Sequence, residues 1–325
     1  MKLSLVYNSN DQKLRQQAYS SVFRKQFEAL KNSRFQVTDI TEDCSAQDID
    51  ADVILFYDVH SSHHIKIDGV ENHSALKLEY FSDPHQNEVK GIYQDTGVYT
   101  HKLGKQQRID RALSRGVSHI ISPVKQRFMT YFEPYLNGNC EQMLWYFPLA
   151  PNFDPGRQPI KDRRNHKVLG NGATWDGGIG AYELRRWAFK QPYIFFVPHW
   201  IQHETVPKGE DYHMLLKIFA GGLALSEFYP VPKYFEMPLA GMVTFCQHHP
   251  EYEDLGFKSF ENCVYVDKSN IEDRINLFLN DMKEERFEKW QKIADKGRKL
   301  VGNNYTSKHF ADFVYNKCVE EGGKQ

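Results

Sequence analysis

The chain has 325 residues, 41% of them hydrophobic and 14% aromatic, with 41 basic against 42 acidic side chains and a formal net charge of -1. This composition excludes a disordered chain, and the length suits two domains better than one core. The balanced charge gives no overall electrostatic pull toward nucleic acid, and no window approaches 18 consecutive apolar residues, so no membrane-spanning helix is expected.

The opening "KLSLVYN" reads as a buried strand, with an apolar run too short for a signal peptide. Residues 11–32 carry Ala18, Val22, Phe27 and Leu30 at helical spacing. "FQVTDI" and "ADVILFYDV" are the second and third strands, the third apolar enough to be central. "ALKLEYFSD" is a fourth. A polar helix over about 105–115, the strand "SHIISPV", the helix "KQRFMTYFEPY" and the strand "MLWYFPLA" follow. Strands alternating with helices predict βαβ units and an open parallel sheet.

The stretch "PNFDPGRQPIKDRRNH", 151–166, has three prolines, clustered charges and no periodicity, which marks a linker. The alternation then restarts. "KVLGNG" is a strand entering a glycine turn and "AYELRRWAFK" a helix. "YIFFVP" is a strand, "DYHMLLKIFAG" a helix and "LALSEF" a strand. "KYFEMPLA" is a short helix, and "MVTFC" and "CVYVD" are the last strands. A helix from about 270 through 300 and another at 306–319 close the chain. The expected class is α/β, with two Rossmann-like parallel-sheet domains, 1–155 and 165–305, and a terminal helix, 306–325, returning to the first. Two facing open sheets form a cleft, since ligands bind beyond the carboxyl ends of such strands.

Five scattered cysteines, with no Cys-x-x-Cys pair, point to reduced thiols in a cytoplasmic setting and away from structural zinc. His199 and His203 stand four apart beside Glu204, but "HWIQHE" is not a His-Glu-x-x-His motif, and the adjacent pairs His63–His64 and His248–His249 diverge in any regular element. No bound metal is expected.

Two segments can carry chemistry. In "LGNGATWDGGIGAYELRR", 169–186, glycines including Gly172 let the backbone approach a ligand, the next helix offers unpaired N–H groups to an anion, and Arg185 supplies a guanidinium fork to phosphate. An ordinary flexible connection with Arg185 on a solvated face explains the same residues. In "VPKYFEMPLAG", a short helix beginning near Pro232 puts Glu236 in its first turn, with Pro238 close to that turn and Gly241 as the stop. A carboxylate so presented suits the adjacent 2′- and 3′-hydroxyls of a ribose; it also suits the helix dipole alone.

"KYFEMPLAG", "YELR", "DLGF" and the Tyr305–Thr306 helix start, in that order over about 160–320, resemble the nucleotide-binding domain of GT-B glycosyltransferases, in particular the CgeB-like branch. Over 1–150 the resemblance rests on layout and on "YFSDPH". It implies a nucleotide-sugar donor, a UDP-sugar above all, with Glu236, followed by Gly241, on the ribose, Arg185 and Lys233 on the diphosphate, and His199 or Trp200 near the base. The family pattern also has an acid eight residues before Glu236. Here that place is Phe228, with Glu227 one position earlier.

Transfer requires a base at the acceptor hydroxyl, expected from the first domain: Asp83 and His85 in "FSDPH", then His60 in "DVHSSHH". Asp and His also serve as plain turn formers at strand ends. The acceptor is a glycan, a protein, a small molecule or hydroxymethylated DNA, the last with "HKLGKQQRIDR" along the phosphates. A sugar-nucleotide epimerase and a catalytically silent binding protein are the alternative readings.

Overall fold

The computed structural model describes residues 1–10, 22–57, 64–82, 105–153, 156, 158–172, 174, 182–198, 209–227 and 229–322. It divides into two compact units, one holding Phe23–Ala150 with the first strand and the residues from Ser307 onward, the other Pro151–Thr306.

In the first unit the elements are β1 (Lys2–Val6), α1 (Val22–Lys31), β2 (Gln36–Ile40), β3 (Cys44–Ser45), β4 (Val53–Phe56), β5 (Ile67–Asp68), β6 (Leu76–Tyr80), α2 (Lys105–Ser114), β7 (His119–Ser122), α3 (Lys125–Leu136), α4 (Cys140–Met143) and β8 (Leu144–Tyr146). Its main sheet runs β2-β1-β4-β6-β7-β8, with every pairing parallel. β4, "VILF", is buried along its whole length, as a strand covered on both faces must be. β2 alternates poorly and is largely exposed, as suits an edge.

The second unit contains β9 (Val168–Gly172), α5 (Glu183–Ala188), β10 (Ile194–Pro198), α6 (Glu210–Ile218), β11 (Gly221–Ala224), α7 (Lys233–Leu239), β12 (Val243–Cys246), α8 (Pro250–Asp254), β13 (Val264–Tyr265), α9 (Ile271–Lys283) and α10 (Glu288–Asn304). Its parallel sheet runs β10-β9-β11-β12-β13. From β9 the chain goes outward to β10 and then crosses to β11 on the other side, so the strand order reverses at β9/β11. In open parallel sheets such a reversal point is where a ligand crevice beyond the strand ends is expected.

Three local expectations are corrected. The strand expected from Leu223 begins at Gly221, and α6 stops at Ile218. A Cβ on Gly222 would lie 2.7 Å from Met242 Cε and one on Gly221 3.0 Å from Phe278, so these glycines exist for close packing within the sheet. The single helix expected over 270–300 is two. Glu285 takes a left-handed φ of 58°, and Asp281 fastens the turn by accepting from Arg286 Nε (2.7 Å) and from the buried Trp290 indole (2.8 Å). Pro238 is the sixth residue of α7, beyond its first turn. Its missing N–H leaves the Tyr234 carbonyl, and the Tyr252 hydroxyl donates to that oxygen at 2.7 Å.

The 158–166 stretch is anchored. Ile160 is buried in the second unit's core, and the Arg163 guanidinium, 6% exposed, donates to the carbonyls of Gln158 and Ala240. The last helix, α11 (Ser307–Gly322), packs its aromatic face on the first unit, Phe310 against Tyr80 and Phe147 and Tyr315 against Phe35.

Candidate functional site

The site grows from the reversal point of the second sheet. β9 is buried throughout, and Gly170 lets it pass under α5, since a Cβ there would meet Ile194 and Phe189 at 2.7 and 2.8 Å. Gly172 ends the strand at φ 130°, a conformation that disfavours side chains. A Cβ on Gly172 would stand 3.2 Å from Arg185 Nη1 and 3.3 Å from Lys233 Nζ. Two cations therefore meet over the bare end of one strand.

Each cation is held from a different element. Arg185, on α5 and 4% exposed, donates through Nε (2.8 Å) and Nη2 to the Leu225 carbonyl just past β11, and its guanidinium lies 4.0 Å from the centre of the Tyr182 ring. One arginine thus spans β9 and β11, the two strands that flank the reversal. Lys233, the first residue of α7, is 2% exposed. Burial, and then the Arg185 guanidinium beside it, pull its ammonium down to about 7, while Glu236 acts in the opposite direction. Glu236 follows at the end of the first turn of α7. It is 1% exposed, and the Tyr212 hydroxyl of α6 donates to its Oε2 at 3.2 Å. A carboxylate has about four lone-pair sites, more than the Tyr212 hydroxyl alone can fill.

The fold therefore brings Gly172, Arg185, Lys233 and Glu236 into one neighbourhood. Gly241 lies elsewhere: its φ of 71° ends α7 as expected, but its α-carbon faces Arg163 and Arg298. His60, Asp83, His85 and His199 lie outside the described residues, as do Trp200, His203 and Glu204. Among the described residues no group of three or more His, Cys, Asp or Glu is arranged to hold a metal ion.

One expected feature is corrected. The start of the helix after the glycine turn is not open, because Glu227 Oε1 accepts from the Leu184 N–H at 3.2 Å. With six residues in α5, that carboxylate occupies the very end an anion would need. Glu227, one place from the position where the resembling family has an acid, is thus committed to a helix cap. Behind it, His249 Nε2 lies 2.8 Å from the Ser226 carbonyl, which steadies the loop that carries Leu225 and Glu227.

Sequence reading missed Tyr212, Arg163 and Asn171. Tyr212 carries a hydroxyl on the buried face of a helix, a signal that it needs a partner. Asn171, 3% exposed and next to Gly172, has an Oδ1 with no hydrogen bond among the described residues. We expect Gly172→Ala to strain the backbone and push the two cations apart. Its cost should be about 1–2 kcal/mol in a denaturant titration, together with loss of phosphate-ligand binding in calorimetry.

No family model matches the sequence, and no curated protein matches it. Solved structures do match in fold. HepE of Anabaena in complex with UDP aligns with a TM-score of 0.57 at 9% identity, covering 98% of this chain and 100% of that one. A glycosyltransferase from Rickettsia africae aligns at 0.55 and 10% identity, covering 98% of each chain. HepE with UDP and glucose aligns at 0.53 and 10% identity, covering 98% of this chain and all of that one. The chain has the GT-B glycosyltransferase fold. The expectation of an α/β architecture with two Rossmann-like parallel sheets holds, and among the described residues no helix is long and apolar enough to cross a membrane.

Proposed function

We propose that the protein is a metal-independent glycosyltransferase that moves a sugar from a nucleotide diphosphate, UDP foremost, to a hydroxyl acceptor. The observation that carries this reading is the meeting of Lys233 and Arg185 over Gly172, one helical turn from the buried Glu236. Breaking the bond between sugar and diphosphate leaves negative charge on the departing phosphate oxygen. Arg185 and the protonated Lys233, buried and held in place by the fold, stabilise that charge with little rearrangement of the protein. Glu236 accepts from the ribose hydroxyls and so fixes the nucleotide against the cations. The UDP and UDP-glucose held by HepE in its complexes support UDP as the nucleotide here.

The acceptor hydroxyl needs a base, and Asp83, His85 and His60 are our candidates, in that order. The acceptor itself is a glycan, a protein or a hydroxymethylated DNA base. The five cysteines, all free, favour a reducing, cytoplasmic compartment. The "KYFEMPLAG" segment keeps the CgeB-like branch as the subfamily we favour.

Calorimetry with UDP and GDP on the unmodified protein tests the reading. UDP should bind with one-to-one stoichiometry and more tightly than GDP, in magnesium-free buffer as well as with magnesium. Failure of both nucleotides to bind would remove the transferase reading, and binding only with magnesium would remove its metal independence.

A further inference from the structure

One buried polar group beside the cations is left without a partner. Asn171, the fourth residue of β9, is 3% exposed, and its side-chain Oδ1 is shut off from solvent with no hydrogen bond to any described residue. An amide oxygen taken out of water and left unpaired is unfavourable, so such an atom in a folded strand calls for a reason. Leucine, of nearly the same volume, would occupy the place without that cost.

Strand register says on which side the amide lies. Gly170 faces α5, since a Cβ there would meet Phe189. Alternation turns Leu169 and Asn171 to the opposite face. Leu169 pairs with Gly222, where a Cβ would stand 2.8 Å from Met237 Sδ of α7. Asn171 therefore shares the sheet face that α7 covers, and α7 is the helix that carries Lys233 and Glu236. In sequence it directly precedes Gly172, the bare tip over which Lys233 and Arg185 meet. Consecutive α-carbons are about 3.8 Å apart, so the amide stands beside the place where a diphosphate would rest.

Counting protons selects the partner. Oδ1 accepts and cannot donate, so the ligand must bring a hydrogen. Diphosphate oxygens bring none. The ribose 2′- and 3′-hydroxyls bring one each, and Glu236 takes both. The uracil N–H lies beyond the ribose, away from the diphosphate. What remains are the hydroxyls of the transferred sugar, which is bonded directly to the outer phosphate.

We propose that Asn171 recognises the transferred sugar, its Oδ1 accepting from one sugar hydroxyl, so that the donor carries a free hydroxyl at that position in preference to its deoxy or O-substituted counterpart. A pocket built on such a bond rejects the analogue that lacks the proton, because the amide is then left unpaired again. This assignment rests on the nucleotide-sugar reading and adds to it a residue that distinguishes one sugar from another.

Calorimetry in magnesium-free buffer tests it, with UDP, UDP-glucose, UDP-galactose and UDP-N-acetylglucosamine titrated into the unmodified protein, Asn171→Ala and Asn171→Leu. Both variants should bind UDP as the unmodified protein does. They should bind the sugar nucleotide that the unmodified protein prefers about five- to tenfold less tightly, the scale of one neutral hydrogen bond. Deoxyfluoro analogues of that sugar nucleotide then locate the contact, because fluorine approaches a hydroxyl in size and lacks its proton. One analogue should bind the unmodified protein more weakly than its parent and lose that difference in the variants, a coupling that a merely structural role of Asn171 would not produce. Variants that weaken UDP and the sugar nucleotide equally, or neither, overturn the assignment and leave the nucleotide reading in place, as does an undiminished penalty for every analogue. Absence of UDP binding to the unmodified protein removes both.

Discussion

Replacing Glu236 with alanine should weaken UDP binding by about 2–4 kcal/mol, roughly thirty- to several-hundred-fold, because two hydrogen bonds to a charged acceptor are lost. The loss has a second source. Glu236 is the group that raises the Lys233 ammonium, against burial and Arg185. Without it Lys233 gives up its proton more readily, and the diphosphate contact weakens as well. Uridine separates the two effects, since it carries the ribose and no phosphate. The variant should lose uridine binding by the ribose share alone, and should lose more against UDP, with a gap that widens as pH rises. Unchanged affinity for uridine would place the ribose away from Glu236. A circular dichroism melt guards against the trivial explanation, because the substitution also leaves the Tyr212 hydroxyl without the carboxylate it donates to.

The second large effect concerns protons. In the unfolded chain Lys233 keeps its proton to about 10.5, whereas in the fold it releases it near 7. Between those values the unfolded state binds more protons, so the ligand-free protein gains stability as pH rises through this window. Ligand binding has the opposite sign. A diphosphate needs the ammonium charged and raises it again on arrival, so binding above pH 7 takes up a proton. UDP affinity should therefore fall with pH above 7, by up to about tenfold per pH unit until the raised value in the complex is reached. Calorimetry in buffers of different ionisation enthalpy counts the protons directly. Lys233→Met, which keeps the length of the side chain, should flatten both profiles and cost about 1.5–3 kcal/mol of UDP binding at pH 7. A wild-type affinity that is level from pH 7 to 9 would show that Lys233 stays charged without the ligand.

Much of this was legible from local pattern. Period-2 and buried runs marked β1, β4, β9 and β12, and a glycine turn after a strand marked the end of β9. Glu236 stood out as a charge among apolar residues, Gly172 and Arg185 as a glycine turn leading into a helix that carries a guanidinium, and Lys233 only through the resemblance of "KYFEMPLAG". The groups that complete the arrangement did not stand out, because they act across the chain. Tyr212 reaches Glu236 over 24 positions, Glu227 reaches Leu184 over 43, and Arg163 reaches Ala240 over 77. Arg163 was disguised further. It sits in a stretch of prolines and charges that reads as a solvated connection, and only the fold shows its guanidinium filling three backbone acceptors, Gln158, Phe219 and Ala240. The displaced start of β11 has a similar origin. Gly221 and Gly222 look like a helix terminator until Met237, Met242 and Phe278 are seen pressed against them.

The docking of α11 on the first unit bears on how the protein is made. Phe310, Phe313 and Tyr315 cover Tyr80, Phe147, Trp145 and Phe35, all of which leave the ribosome long before them. A nascent chain therefore exposes those aromatic rings throughout synthesis of the whole second unit. The bulk of the second unit, Pro151–Thr306, is complete before α11 emerges, so the earlier-synthesised unit waits longer for its closing helix.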